Sequence, residues 1–202
     1  IMTHPKYGDL AARISISNLH KETCENFSDV VTNLYNNQPK LVTDEFYKAV
    51  LKNKQILNDN INYENDYNYS YFGLKTLQRS YLLKIGDNII ERPQHMLMRV
   101  SIGLHMSNKN LNIKKAIQTY NLMSNGKFIH ASPTLFNTGT YLPQLSSCFL
   151  LGADDSITSI FDTIKKCGEI SKTAGGVGIH ISSVRAKGSL IRGTNGKSDG
   201  IG

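Results

Sequence analysis

The chain has 202 residues, enough for one large or two small domains, and 40% hydrophobic against 19% charged content supports a packed core and excludes wholesale disorder. No window approaches ~18 consecutive apolar residues and no basic-then-apolar leader opens the sequence, so a membrane span is not expected. The formal charge of +7 is concentrated late: from Lys165 onward there are seven basic and two acidic residues, and eight of the 16 glycines lie from Gly175 on. Cations beside unobstructed backbone N–H groups suit a phosphate-bearing partner, although a solvated basic surface has the same composition.

In chain order, the first segments read as helices. Asp9 to Tyr35 carries Leu10, Ile14, Phe27, Val30, Val31 and Leu34 at a spacing near 3.6. Thr43 is an N-cap candidate for a helix bearing Phe46, Tyr47, Val50 and Leu51. Asn58 to Gly73, rich in Asn and Tyr, reads as loop or short strand. No basic residue interrupts its tyrosines, which disfavours a nucleic-acid stacking platform. Leu74 to Leu83 reads as helix. Pro93 opens another, with Met96, Leu97, Val100 and Leu104 on one face and Met96 and Met98 as core filler. A further helix runs from about Leu111 to Met123.

The pattern changes after Gly126. Ser132 to Gln144 reads as a loop broken by Pro133, Gly139 and Pro143, and Ser146 to Leu151 as a buried strand. Asp154, Asp155 and Ser156 cap an amphipathic helix carrying Ile157, Ile160, Phe161 and Ile164 and ending near Thr173. Gly178 to Ser182 reads as a second buried strand. Strand, helix, strand over about 35 residues predicts a βαβ unit, hence a parallel sheet and an α/β domain. The sequence stops inside a glycine-rich run, which reads as a piece of a longer polypeptide.

Three widely spaced cysteines (Cys24, Cys148, Cys167) with no Cys-x-x-Cys argue against a disulfide scaffold and for a reducing, cytoplasmic setting. The six histidines never form His-x-x-x-His, so no metal site is expected. Gly196-Lys197-Ser198 resembles the tail of a P-loop, but Ile191 stands where the first glycine is needed. Gly176-Val177-Gly178 lacks the third glycine of a dinucleotide fingerprint.

Two constellations remain. Cys148 in a strand is by itself most simply a buried hydrophobe. Yet Ser132, Thr134, Ser146 and Ser147 before it offer hydroxyls for phosphate or ribose oxygens, beside which a thiol could do redox chemistry. Asp155 and Ser156 open a helix that Lys172 ends, with Arg185 and Arg192 on the glycine-rich segment beyond. Either Asp155 simply caps and the cations are solvated, or the carboxylate takes a sugar hydroxyl and the cations a phosphate chain.

The blocks SPTLFNTGTYLPQLSSCFLL, DDSI and SKTAGGVGIHISSVRAKGSLIRGTNGKSDG, with LAARISISNLHKET and YFGLKTLQRSYLLKIGDNIIERPQHMLMRVSIGLH before them, resemble the large subunit of class I ribonucleotide reductase of the eukaryotic type. The resemblance covers nearly the whole chain. It implies an α/β fold: a mostly helical region over residues 1–127, then, over 128–202, the first strands and helices of a ten-stranded α/β barrel, incomplete here. It implies reduction of ribonucleoside diphosphates by thiyl-radical chemistry, with the radical from a di-iron small subunit and thioredoxin or glutaredoxin as reductant. Homodimerisation and control by ATP, dATP, dTTP or dGTP are implied as well, with no metal, nucleic acid or membrane partner.

Residue by residue, the resemblance makes Cys148 the first redox-active cysteine, paired with a cysteine outside this chain, and Ser132 and Ser147 substrate contacts. Asp155, Ser156, Ile157, Lys172, Arg185, Arg192 and Gly193 match the specificity-effector site at a homodimer interface, and Lys21 matches a contact to the activity-regulating nucleotide. Cys24 and Cys167 match no catalytic cysteine and read as structural. The family's ATP cone is largely missing, and the radical cysteine and the redox partner fall outside the sequence. The segment alone is therefore expected to be inactive. A non-catalytic nucleotide-binding regulatory module is the alternative.

Overall fold

A computed structural model describes residue 4 and residues 6–107 and 110–201. The chain forms two compact units, Ile1–Leu145 and Ser146–Gly202. Among the described residues no helix is long and apolar enough to cross a membrane.

The first unit is helical: α1 (Lys6–Glu22), α2 (Phe27–Asn36), α3 (Asp44–Lys52), α4 (Lys54–Asp59), a 3₁₀ turn (Tyr63–Asn68), α5 (Tyr71–Ser80), α6 (Pro93–Leu104), α7 (Ile113–Ser124) and α8 (Ser132–Asn137). Two small antiparallel hairpins flank α6: β1 (Lys84–Ile85) with β2 (Asn88–Ile89), and β3 (Met106–Ser107) with β4 (Asn110–Leu111). The centre is α6, whose residues from Pro93 to Ile102 are all buried. Its apolar residues Met96, Leu97, Met98, Val100 and Ile102 lie in the core, where each fully buried Leu or Met contributes about 1.5–3 kcal/mol, while Gln94, His95, Arg99 and Ser101 are buried with them. Met96 and Met98 are core residues, as expected. Thr43 caps α3 by accepting from the Phe46 N–H at 3.2 Å.

Several local expectations are corrected. Asp9 to Tyr35 is helical as expected, in α1 and α2, but Leu10 and Ile14 are 53% and 54% exposed; Ala12, Ile16 and Leu19 form the inward face of α1. Asn58 to Gly73 is neither loop nor strand for most of its length. Asn62 accepts from the Glu64 N–H and Ser70 from the Gly73 N–H, so the segment's own polar side chains cap the 3₁₀ turn and then α5. Ser132 to Gln144 begins as helix rather than loop, with Pro133 in the first turn of α8, where no N–H is needed.

The first unit also extends past residue 127 because α6 holds the segment after α7. The buried Arg99 guanidinium donates to the carbonyls of Thr138 (2.6 Å) and Leu135 (3.1 Å). Gly139, at φ +81°, passes so close that a Cβ there would lie 2.9 Å from the Phe46 ring and 3.1 Å from Arg99 Cγ.

The second unit is the predicted βαβ: β5 (Cys148–Gly152), α9 (Ile157–Lys172) and β6 (Gly176–His180), the strands paired in parallel with Cys148 opposite Gly176 and Leu150 opposite Gly178. The strands are not buried, which corrects both strand expectations. Phe149 and Leu151 are half-covered, while Cys148, Leu150 and Gly152 are exposed, Leu150 to 91%. A parallel sheet is normally covered on both faces; here Ile160, Thr163, Cys167 and Ile170 are the less exposed positions of α9, and Thr163 Oγ1 donates to the Gly152 carbonyl at 3.3 Å. The apolar stripe that signals the helix, Ile157, Phe161 and Ile164, faces outward at 72%, 64% and 57% exposure.

Candidate functional site

Ser132 belongs to the first unit, and Ser147 and Cys148 to the second. Ser132 is the first residue of α8, half-buried, with its Oγ 2.8 Å from the Tyr81 hydroxyl. Together they line a cavity of about 430 Å³ with His130, Tyr69, Phe72 and Leu135. Burial, and then the charge of His105, lower the His130 imidazole's proton affinity below its ordinary value. Thr134, the other hydroxyl expected near phosphate, donates instead to the Leu145 carbonyl at 3.1 Å, and Asn137 Nδ2 donates to the Gln144 carbonyl at 2.7 Å. Those bonds fold the segment after α8 back upon it.

Cys148 is a free, exposed thiol at the first position of β5. Gly176, its partner across the ladder, brings no side chain beside the sulfur, and the Gly176 N–H donates to the Ser147 carbonyl at 2.7 Å. Within this chain Cys148 is thus exposed rather than packed as a buried hydrophobe. Cys167 is half-buried on the inward side of α9, in keeping with a packing role. Cys24 is exposed, with its sulfur 3.4 Å from the Asn33 amide nitrogen, so it does not fill the core.

The effector-type residues are partly assembled. Ser156, not Asp155, caps α9 by accepting from the Ser159 N–H at 3.2 Å. This frees the Asp155 carboxylate, which accepts from Arg185 Nε at 2.7 Å and from the Arg185 backbone N–H at 3.2 Å. Arg185 Nη1 also donates to the Leu190 carbonyl at 3.1 Å. It thereby joins the start of α9 to a turned-back segment in which Leu190 bridges Lys197 and the Gly188 N–H reaches the Ser198 carbonyl. Arg192 and Gly193, the latter at φ +85°, lie exposed within that segment. Ile157 is exposed beside the cap. Lys172 is not brought near: it is the last of the 16 residues of α9 and Ile157 the first, about 22 Å of helix rise apart.

Lys21, in the last turn of α1, lines an open cavity of about 600 Å³ with Arg13, Ser17, Asn18, Glu64 and Tyr67. Among the described residues no group of three or more His, Cys, Asp or Glu could hold a metal ion. Tyr81 was missed in the sequence, since one tyrosine at a helix end carries no periodic signal. Arg99 was missed too, although a lone cation inside an apolar helix is a readable sign of a buried partner.

A helical unit joined to an open parallel βαβ unit defines the class: a helical domain leading into the opening of an α/β domain. Residues 67–143 match the family model described as "Ribonucleotide reductase, all-alpha domain", and residues 146–202 match "Ribonucleotide reductase, barrel domain". The chain belongs to the ribonucleotide reductase large-subunit family. It is 52% identical over 98% of its length to the ribonucleoside-diphosphate reductase large chain 2 of Saccharomyces cerevisiae, of which it covers 23%. It is 54% identical to the large subunit of Danio rerio and 55% identical to that of Variola virus, again over 98% of its own length and over 25% and 26% of theirs. The chain thus spans about a quarter of the length of these relatives.

Proposed function

We propose that this chain supplies part of the substrate and effector machinery of a ribonucleoside-diphosphate reductase. In that reaction the 2′ hydroxyl of a ribonucleoside diphosphate leaves as water. Two thiols give up two electrons and two protons as they close a disulfide, which thioredoxin or glutaredoxin then reopens. Cys148 is one of those thiols, its partner cysteine lying elsewhere in the protein, and the initiating radical comes from a di-iron small subunit. Ser132 and Ser147 hold the substrate. The observation that carries this reading is the exposed Cys148 sulfur at the head of β5, directly after Ser147 and opposite a glycine.

Asp155, Ser156, Ile157, Arg185, Arg192 and Gly193 form one part of the site for a nucleoside triphosphate effector such as dTTP, dATP, dGTP or ATP. Asp155 takes a ribose hydroxyl, and the cations take phosphate oxygens. Lys172, at the far end of α9, completes the site from a second copy of the chain in a homodimer. Lys21 contacts the activity-regulating nucleotide only in a protein that carries the ATP cone beside it.

The test is a chimera in which this chain replaces the matching stretch of the Saccharomyces cerevisiae relative. With the small subunit, CDP reduction that responds to dATP and ATP is expected. A folded chimera that binds the small subunit but reduces no nucleotide would contradict the assignment.

A further inference from the structure

Ser132 reaches the surface of its cavity with its hydroxyl already engaged: Tyr81 Oη lies 2.8 Å from Ser132 Oγ, its one side-chain hydrogen bond among the described residues. Tyr81 is itself held on two sides. It caps the C-terminus of α5, its N–H donating to the Leu77 carbonyl at 2.9 Å, and its ring packs on Phe136 of α8 with centroids 4.6 Å apart. The phenol therefore spans α5 and α8, and its contacts fix where its hydroxyl points.

A serine hydroxyl has one proton to give and two lone pairs. A diphosphate oxygen only accepts, so Ser132 must spend its proton on the substrate and can meet Tyr81 only as acceptor. The phenol supplies the matching donor. Resting on the reading of Ser132 as a contact to the substrate's diphosphate, we propose that Tyr81 is a positioning residue for the reaction. Its O–H donates to Ser132 Oγ, fixes the serine rotor and leaves the Ser132 proton aimed at a phosphate oxygen. Donors in series polarise one another, so the outer bond is strengthened as well as oriented.

The test is a double-mutant cycle in the complete holoenzyme, read as KM and kcat for CDP. Ser132→Ala should raise KM roughly 10-fold or more. Tyr81→Phe, which keeps the ring and its packing on Phe136, should raise KM roughly 5-fold, the size of one neutral hydrogen bond, with kcat within about twofold and a melting temperature within about 4 °C of the parent. In the Ser132→Ala background, Tyr81→Phe should add nothing. An unchanged KM in Tyr81→Phe beside a raised KM in Ser132→Ala overturns the role of Tyr81 while sparing that of Ser132. So does a double mutant whose effects multiply. An unchanged KM in Ser132→Ala overturns the substrate contact itself and Tyr81's role with it.

Discussion

Glu91 and Arg99, both fully buried, meet as a two-pronged ion pair, with Arg99 Nε 2.6 Å from Glu91 Oε1 and Nη2 3.1 Å from Oε2. Glu91 also accepts from the Leu83 N–H at 3.0 Å, and Arg99 donates from Nη2 to the Leu135 carbonyl and from Nη1 to the Thr138 carbonyl. One pair thus ties the β1–β2 hairpin, α6 and α8 together. Burying two charges is tolerable only when each is so completely satisfied.

Arg99→Met leaves the Glu91 carboxylate buried with one weak donor and frees the Leu135 carbonyl on α8 and the Thr138 carbonyl just past it. The expected cost is about 3–5 kcal/mol. For a chain of this size that lowers the melting temperature by at least about 6 °C. Calorimetry checks it, and a melt unchanged within a degree or two would mean that the pair is not what anchors α8.

Acid should weaken the first unit through His95. Its Nδ1 accepts from the Arg92 N–H at 3.2 Å, while its Nε2 lies 2.8 Å from the Tyr63 hydroxyl and 3.3 Å from the Glu25 carbonyl, an arrangement that fits the neutral ring. Burial, and then the Arg92 guanidinium, hold its pKa down at about 3 against an ordinary 6.5. Between those values the unfolded chain binds a proton that the folded chain refuses, so stability falls as pH drops below 6.5, by up to about 1.4 kcal/mol per pH unit. Asp66 works in the opposite sense. Burial raises its folded pKa above 3.8, so its contribution is present at low pH and lost as pH rises through the raised value. Urea midpoints at pH 7 and pH 5 should therefore differ less in His95→Gln than in the parent; equal differences would remove His95 as the cause.

The large features of this molecule were legible, and the reasons differ by unit. Helix periodicity located α3, α6 and α7, and the cap cluster at 154–156 located α9, because those signals are local. The inward face of α1 and the exposure of β5 were not legible, since each depends on what lies against the element rather than on its own pattern. The same holds at the candidate site. Residue type and resemblance picked out Cys148, Asp155 and Arg185, but the assignment of the cap to Ser156, and with it the freeing of Asp155 for Arg185, needed coordinates.

The Asp155–Arg185 pair has side chains 35% and 32% exposed, so on its own it is worth under about 1 kcal/mol. Its role is therefore to be sought in binding. Asp155→Asn in the complete protein should leave the melt within about 2 °C while weakening dTTP binding roughly 10-fold, as measured by titration calorimetry. Unchanged dTTP affinity would separate this carboxylate from effector recognition.

In the proposed reaction Cys148 delivers reducing equivalents. In the complete holoenzyme, supplied with thioredoxin, thioredoxin reductase and NADPH, Cys148→Ser should abolish sustained CDP-dependent NADPH oxidation while substrate affinity stays near that of the parent. Continued turnover at the parent rate with serine at position 148 would contradict the account.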